Sequence, residues 1–428
     1  MKTDYLIIGN SVAGINCIEG IRGIDRKGGL IVISEEDCPD YSRPLISYYL
    51  GGRIEEKSLS LKGNDFYNEN NADVLYETVA LGIDVEKRKV FTNKGEIEFN
   101  KLLIATGGKP VMPEIEGYSE DIKGIFTFTS LSDARKLKNY IEERKCREGV
   151  ILGGGLIGLK CAEGLIDKGL KVYIIEMADR LLSMTLDRDA SEIIEKGLKE
   201  RSDCKVLKGD TIKRIDYKDG VISRISLMSG REIETELLVI AVGVRPNIAL
   251  VKETPVKYNR GILVDKHMRT NIPDIYAAGD VAEGKDMLMD RNTVIAIWPV
   301  AARQGKIAGI NMAGGSAIYN GLFPMNAVDI AGYPVISFGI TNPVDVDKYE
   351  IMVKKDEEEY KKIVIRDNRI VGCIFLGKID RSGIFQGLIR HKVDISRFKD
   401  SLLDDDFGLL VLPAEYRKHM VRGEGVEV

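Results

Sequence analysis

The amino-acid sequence predicts an α/β protein with two doubly wound domains followed by an α+β domain. A strand–helix–strand pattern opens the chain, the same pattern recurs after residue 148, and mostly short strands follow residue 320. Alternating strands and helices place parallel strands between two layers of helices. The 428 residues are enough for roughly three domains at about 150 residues each.

The charge and hydropathy of the chain exclude several classes of partner. The 62 basic and 66 acidic residues leave a formal net charge of −4, which provides no basic footprint for nucleic acid. No apolar run approaches the ~18 residues of a membrane helix. The first nine residues lack the apolar core and cleavage site of a signal peptide. We therefore expect a cytoplasmic protein with neither nucleic acid nor membrane as a partner.

The cysteines and histidines predict no metal site. The six cysteines are scattered, without CxxC or CxxxxC spacing, so neither a disulfide scaffold nor a zinc site is expected. The three histidines, His267, His391 and His419, are isolated from one another and from the cysteines. Metal catalysis is therefore not expected.

The first strand–helix–strand unit comprises Asp4–Ile8, Val12–Ile24 and Gly29–Ser34. A glycine turn joins its strand to its helix, as in Rossmann-like dinucleotide-binding domains. Gly9 permits the tight turn and Gly14 allows close packing of helix on strand, so the helix N-terminus can bind a pyrophosphate.

Two further residues qualify this first turn. Ser11 stands where the middle glycine of the fingerprint usually lies, which weakens the match. Glu35 follows the second strand and can accept hydrogen bonds from an adenosine ribose. An incidental glycine turn is the alternative interpretation of this segment taken alone.

The second unit, with strand Gly149–Leu152, helix Leu156–Lys168 and strand Lys171–Glu176, carries an intact fingerprint. Its GxGxxG glycines are Gly153, Gly155 and Gly158. Glu176 suits the ribose 2′-OH of NAD and repels the 2′-phosphate of NADP, although Arg180 could soften that preference. The sequence favours NADH.

The segment after residue 320 predicts a small sheet. Tyr349–Val353, Lys362–Arg366 and Ile370–Leu376 are strand-like, with a hairpin turn at Asp367-Asn368. The charge run Lys354–Lys362 predicts a solvated loop. Short helices are expected from Asp380 onward.

Three further segments resemble motifs of one family: residues 102–108 (LLIATGG), 239–247 (VIAVGVRPN) and 269–281 (RTNIPDIYAAGDV). Together with the two fingerprints, they are similar to the two-dinucleotide flavoproteins of the pyridine nucleotide-disulfide oxidoreductase superfamily. The resemblance covers residues 1–320. It implies that FAD binds the first domain and NADH an inserted second domain.

The resemblance assigns cofactor contacts to individual residues. Asp280 would bond the ribityl chain, Val281 would approach the isoalloxazine, and the helix beginning at Trp298 would point at the flavin pyrimidine, where a positive helix end stabilises negative charge. A plain core aromatic is the alternative for Trp298. The remaining residues assigned to FAD or NADH are Gly9, Ser11, Ala13, Gly14, Glu35, Val79, Ala105, Thr106, Gly107, Gly153, Gly155, Gly158, Glu176, Gly243 and Gly279.

The absence of a cysteine after the second strand narrows the choice among the branches of this superfamily. Disulfide reductases carry CxxxxC after the second strand and NADH oxidases a single cysteine, whereas this chain has Pro44 there, in Arg43-Pro44-Leu45-Ile46-Ser47. That pattern resembles rubredoxin reductases, dioxygenase-type ferredoxin reductases and the flavin part of nitrite reductase, and the layout occurs in the phenylglyoxylate dehydrogenase flavin subunit. The resemblance implies that Arg43 faces the FAD phosphates and that Pro44 packs near the isoalloxazine. Cys38 is expected to be an inert thiol.

The resemblance also identifies an exchanged pair of residues. Relatives commonly have a Glu near the nicotinamide and a Lys near flavin N5. This chain has Lys160 at the Glu position and Tyr48 at the Lys position. The cation is therefore expected on the NAD domain, where it would stabilise reduced flavin; a solvent-exposed helix lysine is the alternative.

These observations predict an FAD-dependent NADH:acceptor oxidoreductase. Residues 1–109 and 240–319 would form the FAD domain, 110–239 the NAD domain, and 320–428 a C-terminal interface domain. Hydride would pass from NADH to FAD, and electrons would then pass to rubredoxin, ferredoxin or an iron–sulfur partner subunit. Two alternatives remain: a soluble NADH oxidase that uses O₂, and an electron-transfer subunit of a larger iron–sulfur complex. A homo-oligomer is also compatible with the sequence.

Overall fold

The computed structural model describes residues 1–413 except Asn64 and Ser202. Two compact units are present: residues 1–114, 122–146 and 239–322 form unit 1, and residues 115–121, 147–238 and the described residues from 323 onward form unit 2. None of the described helices combines the length and apolar character needed to cross a bilayer.

The first chain segment, to residue 146, supplies most of unit 1. Its elements are β1 (Lys2–Ile8), α1 (Val12–Arg22), β2 (Leu30–Ile33), α2 (Ile46–Gly51), α3 (Phe66–Glu69), β3 (Ala72–Leu75), β4 (Ala80–Asp84), β5 (Lys89–Thr92), β6 (Gly95–Ile104), β7 (Gly108–Pro110), β8 (Ile125–Phe126) and α4 (Leu131–Arg144). Short 3₁₀ turns occur at Arg43–Leu45 and Glu56–Leu59. The predicted strand, helix and strand at the start of the chain are thus present, with ends shifted by one or two residues.

The middle of the chain supplies the second strand–helix–strand pattern. Its elements are β9 (Glu148–Leu152), α5 (Leu156–Asp167), β10 (Lys171–Glu176), α6 (Arg188–Arg201), β11 (Cys204–Lys208), β12 (Ile212–Lys218), β13 (Val221–Leu227), β14 (Glu232–Glu234) and β15 (Leu238–Ile240). Strands β9, β10 and β11 pair in parallel, and β12, β13 and β14 form an antiparallel sheet. The second fingerprint therefore joins the first two strands of a parallel sheet.

The chain then returns to unit 1 and completes it. The elements are β16 (Val244–Pro246), a 3₁₀ turn at Ala249–Val251, β17 (Ile262–Leu263), β18 (Ile275–Ala277), β19 (Ala282–Asp286), β20 (Arg291–Thr293) and α7 (Trp298–Met312). The main sheet has the order β3-β2-β1-β6-β5-β4, with β18 paired in parallel to β6. All four residues of β2 and the last four of β1 are buried, because helices cover both faces of the parallel part.

The last segment forms a five-stranded antiparallel sheet within unit 2. Its elements are β21 (Met325–Ile330), β22 (Tyr333–Gly339), a 3₁₀ turn at Val346–Lys348, β23 (Glu350–Lys355), β24 (Tyr360–Arg366), β25 (Arg369–Leu376), α8 (Ser382–Arg390) and a 3₁₀ turn at Lys399–Ser401. The sheet order is β21-β22-β25-β24-β23. Asp367 and Asn368 both have φ of 53°, as the predicted two-residue hairpin turn requires. His419 lies outside the described residues.

The prediction of one solvated loop across the charge run Lys354–Lys362 is wrong. Its first two residues end β23, its last three begin β24, and only residues 356–359 connect the strands. Lys362 is 6% exposed, since its Nζ lies 2.8 Å from Oδ2 of Asp187. A carboxylate contributed by a distant segment of unit 2 thus allows a lysine to occupy a buried strand position.

Asp187 connects the two segments of unit 2. Its Oδ2 accepts hydrogen bonds from the Tyr360 hydroxyl at 2.5 Å and from Lys362 at 2.8 Å. Asn342 donates its side-chain N–H to the carbonyl oxygen of Leu186 at 2.9 Å. Burial and the neighbouring Asp187 raise the pKa of Tyr360. The C-terminal sheet is therefore joined to the β9–β11 segment through buried polar contacts.

Candidate functional site

The turn after β1 leaves no space for side chains at its glycines. Gly9 has φ of 115°, and a Cβ on this residue would lie 2.2 Å from the Ala105 carbonyl oxygen. A Cβ on Gly14 would lie 2.1 Å from the carbonyl oxygen of Gly9. The backbone of the turn therefore lies against the end of β6 and against the first turn of α1.

The beginning of α1 is open to an anion. Ser11 is the N-cap residue, and its side chain makes no capping hydrogen bond. Beside it, the Asn10 side-chain nitrogen is buried without a hydrogen-bond partner in the described structure, although its Oδ1 accepts from Tyr67 at 2.9 Å. Helix N–H groups left free in this way are the usual binding site of a pyrophosphate.

Arg43 lies beside this turn. Its Nε donates to Ser11 Oγ at 3.3 Å, its Nη2 donates to Glu36 Oε1 at 2.5 Å, and its Nη1 donates to the Thr129 carbonyl oxygen at 2.7 Å. These partners fix the guanidinium within unit 1 next to the helix N-terminus. Glu36, the acceptor that orients Arg43, is a residue that the sequence analysis did not select.

Asp280 reaches the same place from β18. A Cβ on Gly279, which has φ of 82°, would lie 3.2 Å from the Cβ of Ala13, so the Gly-Asp turn packs on the start of α1. Burial raises the pKa of Asp280, and the positive charge of Arg43 opposes that shift. Among the described residues, none donates a hydrogen bond to the Asp280 carboxylate, which leaves it available to a ligand hydroxyl.

Helix α7 packs on α1 through glycines. A Cβ on Gly305 would lie 2.1 Å from the Ala13 carbonyl oxygen, and one on Gly309 would lie 2.2 Å from that of Cys17. Gln304, 2% exposed, accepts the Gly279 backbone N–H on its Oε1 at 2.9 Å. Gln304 has no role predicted from the sequence, although a polar amide among the small buried residues of α7 was a signal. Trp298, the first residue of this helix, is half-buried.

The remaining residues assigned to the first site have different environments. Pro44 and Glu35 are exposed, Tyr48 is half-buried with the Arg53 guanidinium 5.3 Å from its ring centroid, and Val281 is fully buried. Ser47, within the same segment as Pro44, has a buried hydroxyl oxygen with no hydrogen-bond partner in the described structure.

Thr106 and Gly107, which follow strand β6, are held by hydrogen bonds with the backbone of Asn247. Thr106 donates its hydroxyl to the Asn247 carbonyl oxygen at 2.8 Å, and Gly107 accepts the Asn247 N–H at the same distance. Val79 is half-buried, and its N–H donates to Asn93 Oδ1 at 2.9 Å. The structure thus gathers Ser11, Arg43 and Asp280 around one glycine turn, whereas Val79 donates its hydrogen bond to Asn93.

The fingerprint of unit 2 repeats the geometry of the first. Gly153 has φ of 115°, and a Cβ on Gly158 would lie 2.0 Å from the Gly153 carbonyl oxygen. Gly155 is the N-cap residue of α5 and has open space where a Cβ would be. This second helix N-terminus can therefore also accept a pyrophosphate. Gly243, another residue expected to contact a cofactor, has φ of 118° and belongs to unit 1.

Glu176 holds the backbone around the fingerprint. Its Oε2 accepts the Gly154 N–H at 2.6 Å and its Oε1 accepts the Ala178 N–H at 2.7 Å. Arg180 lies nearby in sequence, and its Nη1 donates to Asp179 at 2.9 Å while its Nη2 donates to the Ser183 carbonyl oxygen at 3.3 Å. The carboxylate is thus fixed at the end of β10, and the arginine has partners of its own.

Lys160 pairs within unit 2. Its Nζ donates to Glu163 on the same helix and to the Asp329 carbonyl oxygen at 3.2 Å. Glu163 also accepts the Ala331 backbone N–H at 2.9 Å, from the turn between β21 and β22. A local negative charge therefore compensates the cation in the early turns of α5. Glu163 was not predicted as a site residue, although its spacing from Lys160 fits an i,i+3 ion pair, because its second partner, Ala331, comes from a distant segment.

Burial raises the pKa of five of the six cysteine thiols. Burial, with a contribution from Glu36, raises the pKa of Cys38 to about 11, and burial raises the pKa of Cys204 to about 12. Burial also raises the pKa of Cys17, Cys161 and Cys373. None of these five has the lowered pKa of a reactive cysteine.

Comparison with known proteins agrees with both the geometry and the motifs. Residues 3–305 match the family described as pyridine nucleotide-disulphide oxidoreductase, and residues 324–393 match the rubredoxin NAD⁺ reductase C-terminal domain. An NADH oxidase of Methanocaldococcus jannaschii is 31% identical over 394 residues, which cover 87% of each chain.

Two further similar proteins carry the names of different enzymes. The epsilon subunit of NADH-dependent phenylglyoxylate dehydrogenase from Aromatoleum evansii is 28% identical over 92% of this chain and 93% of that protein. The crystal structure of NADH:rubredoxin oxidoreductase from Clostridium acetobutylicum has a TM-score of 0.77 at 26% identity, over 95% of this chain and 99% of that one. The fold and the family predicted from the sequence are confirmed.

Proposed function

The chain belongs to the pyridine nucleotide-disulphide oxidoreductase family, and on this premise we propose that it passes electrons from NADH, through FAD, to a one-electron carrier protein. It is an oxidoreductase that uses FAD and a nicotinamide nucleotide. The observation that carries the choice of acceptor is that residues 43–51, where thiol-dependent relatives have a cysteine, contain none. An internal thiol relay is therefore absent from this segment.

Unit 1 would hold the FAD through the contacts around its glycine turn. Gly9, Ser11, Ala13 and Gly14 would bind the pyrophosphate with the α1 N-terminus. Asp280 would accept a hydrogen bond from a hydroxyl of the ribityl chain, which suits a buried carboxylate that accepts none from the described residues. The other expected contacts are Glu35, Arg43, Val79, Ala105, Thr106, Gly107, Val281 and Trp298.

Unit 2 would hold the NADH. Gly153, Gly155 and Gly158 would leave the α5 N-terminus open to its pyrophosphate, and Glu176 would accept the adenosine ribose hydroxyls. Since the Arg180 guanidinium donates to Asp179 and to a backbone carbonyl, it is not free to bind a 2′-phosphate in this conformation. NADH is therefore the proposed donor in preference to NADPH.

The bound FAD supplies the redox chemistry, because it accepts a hydride and can release electrons one at a time. The protein orients the cofactor and provides charge. Pro44 and Tyr48 would border the flavin site of unit 1, and Lys160 would act on the nicotinamide side in unit 2. Glu163 pairs with Lys160 and offsets part of its positive charge.

Two alternative functions are each supported by the name of one similar protein. The name of the Methanocaldococcus jannaschii protein supports an NADH oxidase that uses O₂. The name of the Aromatoleum evansii protein supports an electron-transfer subunit of a larger complex. In both cases the two cofactor sites would be used as above, and only the fate of the electrons would differ.

Steady-state NADH oxidation by the pure holoprotein distinguishes these acceptors. We expect an anaerobic one-electron dye, ferricyanide or a viologen, to be reduced at least roughly ten times faster than O₂ is consumed in air. Equal rates would favour the oxidase. Copurification from the native host with a stoichiometric iron–sulfur protein would favour the electron-transfer subunit of a larger complex. Parallel assays with NADH and with NADPH determine which nucleotide is the preferred donor.

A further inference from the structure

Strand β23 lies at the edge of the C-terminal sheet. It follows β24 at the end of the sheet order, and no other strand among residues 323–413 pairs with its outer side. Its backbone N–H and C=O groups on that side are therefore open to another strand. Proteins usually protect such an edge, because an exposed apolar edge strand invites pairing with a second chain.

The side chains of β23 protect this edge only in part: Lys354 and Lys355 are the usual protective type, but apolar side chains are exposed beside them. Ile351 is 37% exposed and Val353 is 43% exposed, and both lie on the same face of the strand. Immediately before the strand, Val344 is 95% exposed and Val346 is 55% exposed. Apolar side chains and unpaired backbone thus occur together at this edge.

The sequence of β23 is complementary to itself when it is read in the opposite direction. It begins with Glu350, continues through three apolar residues, and then reaches Lys354. Antiparallel pairing of two copies, with a two-fold axis through Met352, places each Glu350 opposite the Lys354 of the other copy. The same pairing places Ile351 opposite Val353, and opposed residues of this kind stabilise an antiparallel pair.

Neighbouring charges extend this pattern on each copy. Lys399 Nζ lies 2.5 Å from Glu350 Oε2, and Lys354 Nζ lies 2.6 Å from Asp405 Oδ1. In the paired copies, Lys399 and Glu350 of one copy would therefore be followed by Lys354 and Asp405 of the other, so that positive and negative groups alternate across the interface. Moving the axis to Val353 would instead oppose Glu350 with Asp356, which is a repulsive contact, so the charges favour the axis at Met352.

We propose that β23 is an interface between two copies of this chain, which pair antiparallel about Met352 and join their C-terminal sheets into one ten-stranded sheet. The partner strand belongs to a second copy of the chain, because Glu350 and Lys354, at the two ends of the same five residues, carry opposite charges and complement each other in an antiparallel pair. This interface is independent of the proposed electron acceptor, since no residue assigned to FAD or NADH lies in β23.

A disulfide at the axis tests the register directly. In an antiparallel pair, opposed Cα atoms lie about 4.5 or 5.5 Å apart, within the range that a disulfide can span. Met352→Cys holoprotein should therefore form a covalent dimer under mild oxidation, and a thiol reductant should reverse it. Ile351→Cys is the matched control: its two copies would be about 8 Å apart and should not cross-link, and the unaltered protein should not either.

Charge exchange tests the same pairing without a covalent bond. Sedimentation of the holoprotein between about 1 and 100 μM should show a monomer–dimer equilibrium. Lys354→Glu should weaken the dimer by about tenfold. Glu350→Lys combined with Lys354→Glu should restore part of the affinity, since the exchanged charges also face Lys399 and Asp405 of their own copy. Lys355→Glu makes the same charge change at the next residue and should have a smaller effect.

Three outcomes would overturn this interface. The first is a monomer at every concentration, and the second is a Met352→Cys variant that cross-links no faster than Ile351→Cys. The third is a dimer whose affinity does not respond to Lys354→Glu. NADH oxidation measured on the same samples keeps these results separate from the proposed function, because the predicted changes concern association alone.

Discussion

Gln304 accepts a hydrogen bond from the backbone N–H of Gly279 at 2.9 Å, and so connects helix α7 to the residue before Asp280. Gln304 is 2% exposed, so water does not readily replace it as the acceptor. The amide therefore fixes the backbone on which the Asp280 carboxylate is carried.

Removal of this acceptor should weaken FAD binding. Gln304→Met keeps the length of the side chain but leaves the buried Gly279 N–H without a partner, at a cost of about 1–3 kcal/mol. We expect the Kd for FAD to rise between about fivefold and 150-fold. Titration of the apoprotein, followed by flavin fluorescence, measures it; Lys306→Met, at an exposed position of the same helix, should leave the Kd unchanged.

The carboxylate of Asp280 should itself contribute to FAD affinity. Asp280→Ala removes a buried acceptor for a ribityl hydroxyl, which should cost on the order of 1–3 kcal/mol of binding free energy. The same titration gives the result, and Asp290→Ala, an exposed acid nearby in the sequence, serves as the control. Pure protein that is colourless and cannot be reconstituted with FAD would contradict the flavoprotein assignment itself.

Glu176 should make the enzyme prefer NADH. Because a carboxylate opposes the 2′-phosphate, kcat/KM for NADH should exceed that for NADPH by at least roughly tenfold. Glu176→Ala should reduce this ratio, whereas Glu200→Ala removes an exposed acid from α6 and should preserve it. A ratio near one in the unaltered protein would indicate that a cation such as Arg180 binds the phosphate.

Cys38 should remain unreactive at neutral pH. Its pKa is raised to about 11 by burial first and by Glu36 second, so the folded protein keeps the thiol proton at pH values where the unfolded chain has lost it. This contribution to stability is present at neutral pH and decreases between about pH 9 and 11.

Alkylation checks the protonation state of Cys38. At pH 8, iodoacetamide should modify this residue at least roughly 100 times more slowly in the folded than in the unfolded protein, as followed by peptide mass spectrometry. Cys38→Ser should leave NADH-dependent dye reduction intact. A large loss of turnover in this variant would instead indicate a thiol mechanism.

Lys160 can be tested for a role beyond its ion pair. If its charge assists hydride transfer, Lys160→Ala should slow NADH-driven flavin reduction by about fivefold and lower the flavin potential, with little change in FAD affinity. Stopped-flow absorbance measures the rate, and Lys160→Arg should retain most of it. A lower Tm with an unchanged reduction rate would assign Lys160 to the Glu163 contact alone.

The sequence was sufficient for the fold class and the glycine turns because those features depend on local patterns. Gly9 and Gly153 need positive φ, and Asp367-Asn368 forms a two-residue turn, and each requirement is visible in a few neighbouring residues. Contacts between distant segments were not visible. Glu163 accepts from Ala331 and Asp187 accepts from Lys362, and both of these donors lie more than 160 residues away along the chain.

The close approach of α7 to α1 also has a consequence for inheritance. Every missense change of a glycine codon adds at least a Cβ, and at Gly305 and Gly309 that atom would lie 2.1 and 2.2 Å from backbone carbonyl oxygens of α1. These oxygens cannot move aside as a flexible side chain can. Both codons are therefore positions at which selection should remove all amino-acid variation, whichever electron acceptor a lineage adopts.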